Sequence, residues 1–262
     1  MPMIDVDGLP FHVTIEGRAD APPLMLGNSL SSNMAMWEPQ MPALEERYRV
    51  IRYDHRGHGR SAAPVGPYSM DRLGRDARAI LDALGIERTH WCGLSMGGMT
   101  GMWLLTHAPH RIDRAVLANT AAHMGPADLW NGRIRTATRG GMAALVDGTL
   151  QRWFKPGLAE REPAMIEGVR AMILGTPVQG YQGCCAAIRD MDLRDRLGLI
   201  EAPTLVVIGA HDPATPPDRG QYLVERIPGA QKSTLEAAHL SNIELAEGFN
   251  RIVLGFLSGE RL

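Results

Sequence analysis

Cysteine is scarce in this chain: three in 262 residues, two of them adjacent, Cys184 and Cys185. Three cysteines make no disulfide framework and fit a reducing compartment, so a cytoplasmic location is expected. Charge of one sign is lacking too. The formal net charge is −2, which gives no electrostatic reason to expect nucleic acid or an anionic membrane as partner. No apolar run approaches the roughly 20 residues that span a bilayer. The opening MPMIDVDGLPFH has neither a basic stretch nor an apolar core, so a secretory signal is not expected. HExxH, CxxC and phosphate-cradling glycine motifs are missing, and neither metal nor organic cofactor is expected. There is no internal repeat and no low-complexity segment. What remains is an ordinary globular composition, 45% hydrophobic and 21% charged, long enough for one large domain.

Strand-like and helix-like runs alternate from residue 10 to about 120. Phe11–Ile15, Pro23–Leu26, Arg49–Tyr53, His90–Leu94 and Arg114–Ala118 read as strands. Met36–Arg47 and Asp71–Leu84 carry helical spacing, the second stopped by Gly85, a good residue just past a helix end. Apolar strands alternating with helices predict an α/β fold, a mostly parallel sheet with helices on both faces. Residues 121–196 break the rhythm. Their helical pieces, Leu129–Arg139, Met142–Trp153 and Pro163–Leu174, are punctuated by Gly140-Gly141, Pro156-Gly157 and Gly175-Thr176-Pro177. Strand chemistry returns at Pro203–Gly209, and a last helix runs through about Leu245–Leu257. The predicted organisation is a core of residues 1–120 and 197–262, with 121–196 as a helical cap over the carboxyl ends of the strands, where open α/β sheets bind ligands.

The segment THWCGLSMGGMTG (89–101) reads as a strand, a sharp turn and a helix. That is the context a nucleophile elbow needs, with small residues two positions either side of the serine. Gly93 and Gly97 flank Ser95 in this way. A seryl hydroxyl needs a base, and the base needs an orienting acid, in the order Ser, acid, His along such a chain. His107 and His110 fall at the far end of the helix that Ser95 starts, roughly 18 Å or more away at 1.5 Å per residue. His123 opens the cap and could line a pocket. His239, in AAHLSN just after the strand-like Lys232–Leu235, is the predicted base. Asp212, in GAHDPATPP directly after PTLVVIG, is the predicted acid. The preceding strand ends in Leu117-Ala118-Asn119-Thr120 and offers no carboxylate. His211 is expected to pack or bond locally. The tetrahedral intermediate also needs backbone donors. These are predicted to be the N–H of Met96, after the serine, and of Leu30, in LGNSLSSN.

Those residues resemble the α/β-hydrolase superfamily: GLSMGG with Asp212 and His239, plus YDHRGHGRS at 53–61. In that superfamily the DxRGxGxS stretch is a structural turn, which implies a scaffold role for His55 and His58. GNSLSSNMAMWEPQ, LANTAAHMGPADLWNGRI, GCCAAIRDMDLRDRLG, GAHDPATPP and AAHLSNIE together look like the 3-oxoadipate enol-lactone hydrolases, a likeness running from about residue 5 to 258. Asn28-Ser29 stands where many hydrolases have His-Gly, as in these lactonases. Two departures are visible. Ser31 occupies a position where NSLG would place glycine, and Met102 replaces a glutamine often found after the elbow.

The resemblance implies a cofactor-free serine esterase that opens the enol-lactone ring to 3-oxoadipate in bacterial aromatic catabolism, the β-ketoadipate pathway. The substrate carries a carboxylate, so a cation beside the pocket is expected. Arg133, Arg135 and Arg139 share one helical segment and Arg189 lies in CCAAIRDMD. Arg133 and Arg189 sit in the family-like stretches and rank first, against surface ion pairs with Asp190, Asp192 or Asp195. Trp130 and Trp153 are candidates for an apolar wall, or for core packing. The Cys184-Cys185 pair reads as buried packing. Two other readings stay open: a general carboxylesterase or lactonase with perhydrolase-like side activity, and a hydrolase-fold sensor of small molecules that turns over slowly. The expected partner is a small lactone or ester; oligomeric state is not legible.

Overall fold

The computed structural model describes residues 3–259. Eight strands form one sheet in the order β1-β2-β4-β3-β5-β6-β7-β8. They are β1 (Met3–Val6), β2 (Leu9–Gly17), β3 (Pro23–Gly27), β4 (Arg49–Tyr53), β5 (Thr89–Leu94), β6 (Ile112–Ala118), β7 (Thr204–Gly209) and β8 (Gln231–Leu235). The β1–β2 and β2–β4 pairs are antiparallel and all others parallel. Burial follows position. Every residue of β5 and β7 is buried, whereas the edge strand β8, QKSTL, alternates between half-buried and exposed along most of its length. A strand covered on both faces needs a continuous apolar run, while an edge strand does not.

Helices α1 (Met41–Glu45), α2 (Met70–Ala83) and α3 (Met96–His107) join the early strands. The α3 helix is apolar all round and buried from Met96 to Leu105, as a helix packed inside the molecule must be. It lies close to the sheet because Gly97 and Gly101 leave room: a Cβ on Gly97 would strike the Gly27 carbonyl, and one on Gly101 the Trp91 ring. The helix expected at 36–47 is instead a tight 3-10 stretch, Met34–Gln40, followed by α1. Pro39 and Pro42 explain the break, since proline has no N–H for an α-helical bond.

Between β6 and β7 come α4 (Ala127–Gly140), α5 (Val146–Trp153), α6 (Leu158–Arg161), α7 (Pro163–Leu174) and α8 (Val178–Asp190). The last of these was not read from the sequence, because VQGYQGCCAAIRD holds two glycines, poor helix formers. Both are used for close approach. A Cβ on Gly180 would meet the Gly57 backbone, and one on Gly183 the Tyr68 ring. Cys184 and Cys185 are free thiols buried beside them, and burial pushes the Cys185 thiol up to about 12. The cap is tied down by Gln179 Nε2 to the Ala63 carbonyl (2.8 Å), Tyr68 N–H to the Gly183 carbonyl (3.2 Å) and Leu240 N–H to the Trp153 carbonyl (3.1 Å). Helices α9 (Pro217–Arg226), α10 (Ser241–Glu244) and α11 (Ala246–Leu257) complete the chain. Strand β1 and helix α9 also lay outside the sequence reading. Among the described residues no helix is long and apolar enough to cross a membrane.

Candidate active site

The parallel strands bring five loops to one edge. Gly27 of β3 pairs with Gly93 of β5, Leu94 with Ala118 of β6, Ala118 with Val207 of β7, and Gly209 of β7 with Leu235 of β8. The chain therefore delivers Leu30, Ser95, Asn119, Asp212 and His239 just past neighbouring strand ends. Leu30 and Ser95 come from adjacent strands that are distant in sequence, at the place where strand order reverses.

Ser95 has φ 57° and ψ −115°, backbone strain in a non-glycine residue. The turn is held on both sides of the peptide: Ser95 N–H donates to the Ala118 carbonyl at 2.9 Å, and Thr120 Oγ1 donates to the Ser95 carbonyl at 2.7 Å. The small neighbours are obligatory, since a Cβ on Gly93 would collide with the Gly97 carbonyl. His239 Nδ1 donates to Asp212 Oδ2 at 2.8 Å, which leaves Nε2 as the proton-accepting nitrogen. Asp212 also accepts from Thr215 Oγ1 (2.6 Å), Asn119 Nδ2 (2.9 Å), Ala214 N–H (2.7 Å) and Thr215 N–H (3.0 Å). Burial raises the Asp212 carboxyl, but the facing His239 charge and the bonds from His239, Thr215 and Asn119 outweigh it and hold it below its ordinary 3.8. Ser95, Asp212 and His239 are 7%, 2% and 2% exposed, so their charges act in a largely water-free setting.

Ser95 and His239 line a narrow cleft together with Leu30, Trp130, Arg133, Arg152, Trp153 and Tyr181. No hydrogen bond joins the Ser95 hydroxyl to His239 among the described residues; such bonds tighten when a substrate arrives. Among the described residues Leu30 N–H has no hydrogen-bond partner, whereas its neighbours' are used. Asn28 N–H donates to His55 Nε2 (3.1 Å), Ser29 N–H to Met36 Sδ (3.2 Å), Ser31 N–H to His58 Nε2 (3.0 Å) and Ser32 N–H to the Ser29 carbonyl (3.2 Å). Met96 N–H opens α3, where helix amides lack intrahelical partners. Ser31 has φ +66°, the left-handed region for which glycine is the usual residue.

The structure brings Trp130, Arg133 and Trp153 to the cleft with Ser95 and His239 but places Arg189 elsewhere. Its guanidinium is held by both Asp190 oxygens (2.7 Å each) and by Asn131 Oδ1 (2.9 Å), and Arg189 does not line the cleft beside Ser95. The sequence reading passed over Arg152. This arginine lines the cleft, donates to Thr149 Oγ1 at 3.2 Å, and is lowered by burial and by the like charge of Arg133. Arg133 lies over the Trp130 ring at 4.7 Å. Neither guanidinium has a carboxylate partner among the described residues. Asn119 and Thr215 were likewise not singled out as supports of Asp212. His123 lines a separate recess with Arg194 and Tyr222, and His211 pairs on the surface with Glu236 at 2.9 Å. Among the described residues no cluster of histidine, cysteine and acidic side chains could hold a metal ion.

A family model of the alpha/beta hydrolase fold matches residues 22–245. The chain is 42% identical over 237 residues to 3-oxoadipate enol-lactonase 2 of Acinetobacter baylyi, covering 90% of this chain and 89% of that protein. It is 38% identical over 250 residues to 3-oxoadipate enol-lactonase 1 of the same organism, covering 95% and 94%. Among solved structures it is similar to the enol-lactonase from Burkholderia xenovorans LB400, with a TM-score of 0.97 and 42% identity over 98% of this chain and all of that one. The sheet order, the strained turn at Ser95 and a likeness that runs through the cap as well as the core lead to one assignment: the chain belongs to the alpha/beta hydrolase family.

Proposed function

We propose that this protein is a 3-oxoadipate enol-lactonase, a serine hydrolase that opens the enol-lactone ring to 3-oxoadipate. Ser95 Oγ attacks the lactone carbonyl while His239 Nε2 takes its proton, and Asp212 stabilises the imidazolium. The C–O electrons collapse onto oxygen, where the N–H groups of Leu30 and Met96 meet the oxyanion. When the carbonyl re-forms, the ring C–O bond breaks and the leaving group departs as an enolate, a better leaving group than an alkoxide. Protonated from His239, it becomes the ketone, which makes ring opening effectively irreversible. Water deprotonated by His239 then attacks the acyl-serine and releases the acid.

One observation favours this substrate over a neutral ester: two guanidinium groups, Arg133 and Arg152, face the cleft without a carboxylate partner among the described residues. Like charges set together in a half-buried site repel, so an anionic ligand between them relieves a cost already present. The lactone's side-chain carboxylate has that chemistry, and a guanidinium binds it through paired donors. Trp130 and Trp153 flank the remaining space for the apolar ring.

The test supplies purified protein with the enol-lactone, generated in solution from muconolactone, and follows loss of its ultraviolet absorbance over many equivalents. Wild type consumes it in multiple turnovers and Ser95→Ala does not. A stall after about one equivalent indicates a sensor, and wild-type rates in Ser95→Ala overturn the nucleophile.

A further inference from the structure

The mechanism makes no use of two fully buried histidines, His55 and His58, yet both bond the loop that carries Leu30. We propose that His55 and His58 are positioning residues for the oxyanion hole: as neutral acceptors they clamp the amides of Asn28 and Ser31 and so aim the Leu30 N–H between them. The proposal rests on Leu30 as an oxyanion donor, as described above.

The hydrogen-bond accounting supports it. His58 Nε2 accepts from Ser31 N–H at 3.0 Å, while its Nδ1–H donates to the Arg56 carbonyl at 3.2 Å. His55 Nε2 accepts from Asn28 N–H at 3.1 Å, with Nδ1 at 3.1 Å from the Tyr53 hydroxyl. Each ring thus needs its Nε2 lone pair free and its Nδ1 protonated, one defined neutral tautomer. Burial maintains that state, holding His55 down to about 3 and His58 to about 4. The same turn supplies further anchors. Asn28 Nδ2 donates to the Tyr53 carbonyl (2.7 Å), and Met34 N–H to Asp54 Oδ1 (2.9 Å). The turn is itself stiff: Asp54 Oδ2 accepts from Arg60 N–H (2.9 Å) and His12 Nδ1 (2.8 Å). Gly59 has φ +51° and no room for a Cβ beside that carboxylate.

The clamp has a reason at Ser31. A serine at φ +66° sits in a region that costs a non-glycine residue about 1 kcal/mol or more. Its amide is the one that His58 holds. Without that acceptor Ser31 is free to relax toward negative φ, which rotates the Leu30–Ser31 peptide and, by shifting Leu30 with it, turns the Leu30 N–H away from the oxyanion. An oxyanion donor matters only when charge develops, so misaiming it lowers kcat and leaves KM almost unchanged.

The experiment compares His58→Gln and His58→Leu, and the same pair at His55, on 4-nitrophenyl acetate, a neutral ester that does not engage the arginines. A glutamine amide oxygen reaches the position of Nε2 and restores the acceptor; leucine fills the space without one. The leucine variants are expected to lose kcat by on the order of tenfold or more at nearly constant KM, since deleting one oxyanion donor outright costs about 100- to 1,000-fold. The glutamine variants are expected to recover most of the loss. Thermal unfolding of all four variants shows whether a lost kcat merely follows lost stability. Equal losses in Gln and Leu variants, leucine variants with wild-type kcat, or losses carried by KM each overturn the proposal. Ser95→Ala run alongside separates this failure from failure of the site reading: if it still hydrolyses the ester, the nucleophile assignment is at fault.

Discussion

Arg189, Arg133 and Arg152 show how local neighbours settle a side chain's task. Arg189 is followed by Asp190, which takes its guanidinium through both oxygens. Arg133 has Leu129, Trp130, Thr136 and Ala137 at the helical spacings of three and four; Arg152 has Gly148, Thr149, Lys155 and Pro156. No carboxylate stands at a spacing that pairs across a helix turn, a signal that the sequence carried for both and that, for Arg152, distance from the family-like stretches hid. Arg133→Ala and Arg152→Ala are expected to raise KM for the carboxylated lactone by roughly 10- to 100-fold, the range for a lost charge-assisted bond, and to leave 4-nitrophenyl acetate nearly untouched. Steady-state kinetics on both substrates checks this, and equal losses on the two would remove the anion subsite. Ser95, Asp212 and His239 stood out in the sequence for another reason: each comes within a few residues of a strand's end, and chain order left few rivals.

At the scale of elements, the central strands were readable because a sheet covered on both faces demands long apolar runs, as in PTLVVIG. What escaped were elements whose local preference disagrees with their final state. The β1 strand has only Val6 fully buried, so four residues carry almost no alternation. The α8 helix takes glycines at 180 and 183 for packing against Gly57 and Tyr68, a tertiary demand that no window of sequence displays. The YDHRGHGRS turn belongs here too. Its motif marked it as scaffold, and the structure shows what it supports: the Asn28–Ser32 loop, through His55 and His58. The connection spans 27 residues in each case, from one strand's end to its neighbour's, and is visible only once the strands pair.

For the whole molecule, burying neutral histidines sets a pH limit on stability. His55 and His58 are lowered from 6.5 to about 3 and about 4 by burial. Below pH 6.5 the unfolded chain takes up protons that the folded one refuses. Stability is therefore full above about 6.5 and falls as pH drops toward those folded values, by about 1.4 kcal/mol per pH unit for each histidine. The Asp212 carboxyl, held below 3.8, adds its loss only at lower pH. Denaturant midpoints of Ser95→Ala are expected to stay level from pH 8 to about 6.5 and to decline from there to pH 5; a flat profile between 6.5 and 5 would show that these rings are not kept neutral by the fold.

The same whole-molecule view sets the central claim, that the core supplies general acyl chemistry and the cap selects the anionic lactone. The measurement that tests it most directly is the ratio of kcat/KM for 3-oxoadipate enol-lactone to that for 4-nitrophenyl acetate, on one preparation. Selective transition-state binding through two arginines predicts a ratio on the order of 100 or more in favour of the lactone. A ratio near one, or in favour of the neutral ester, would contradict it and make the protein a general esterase.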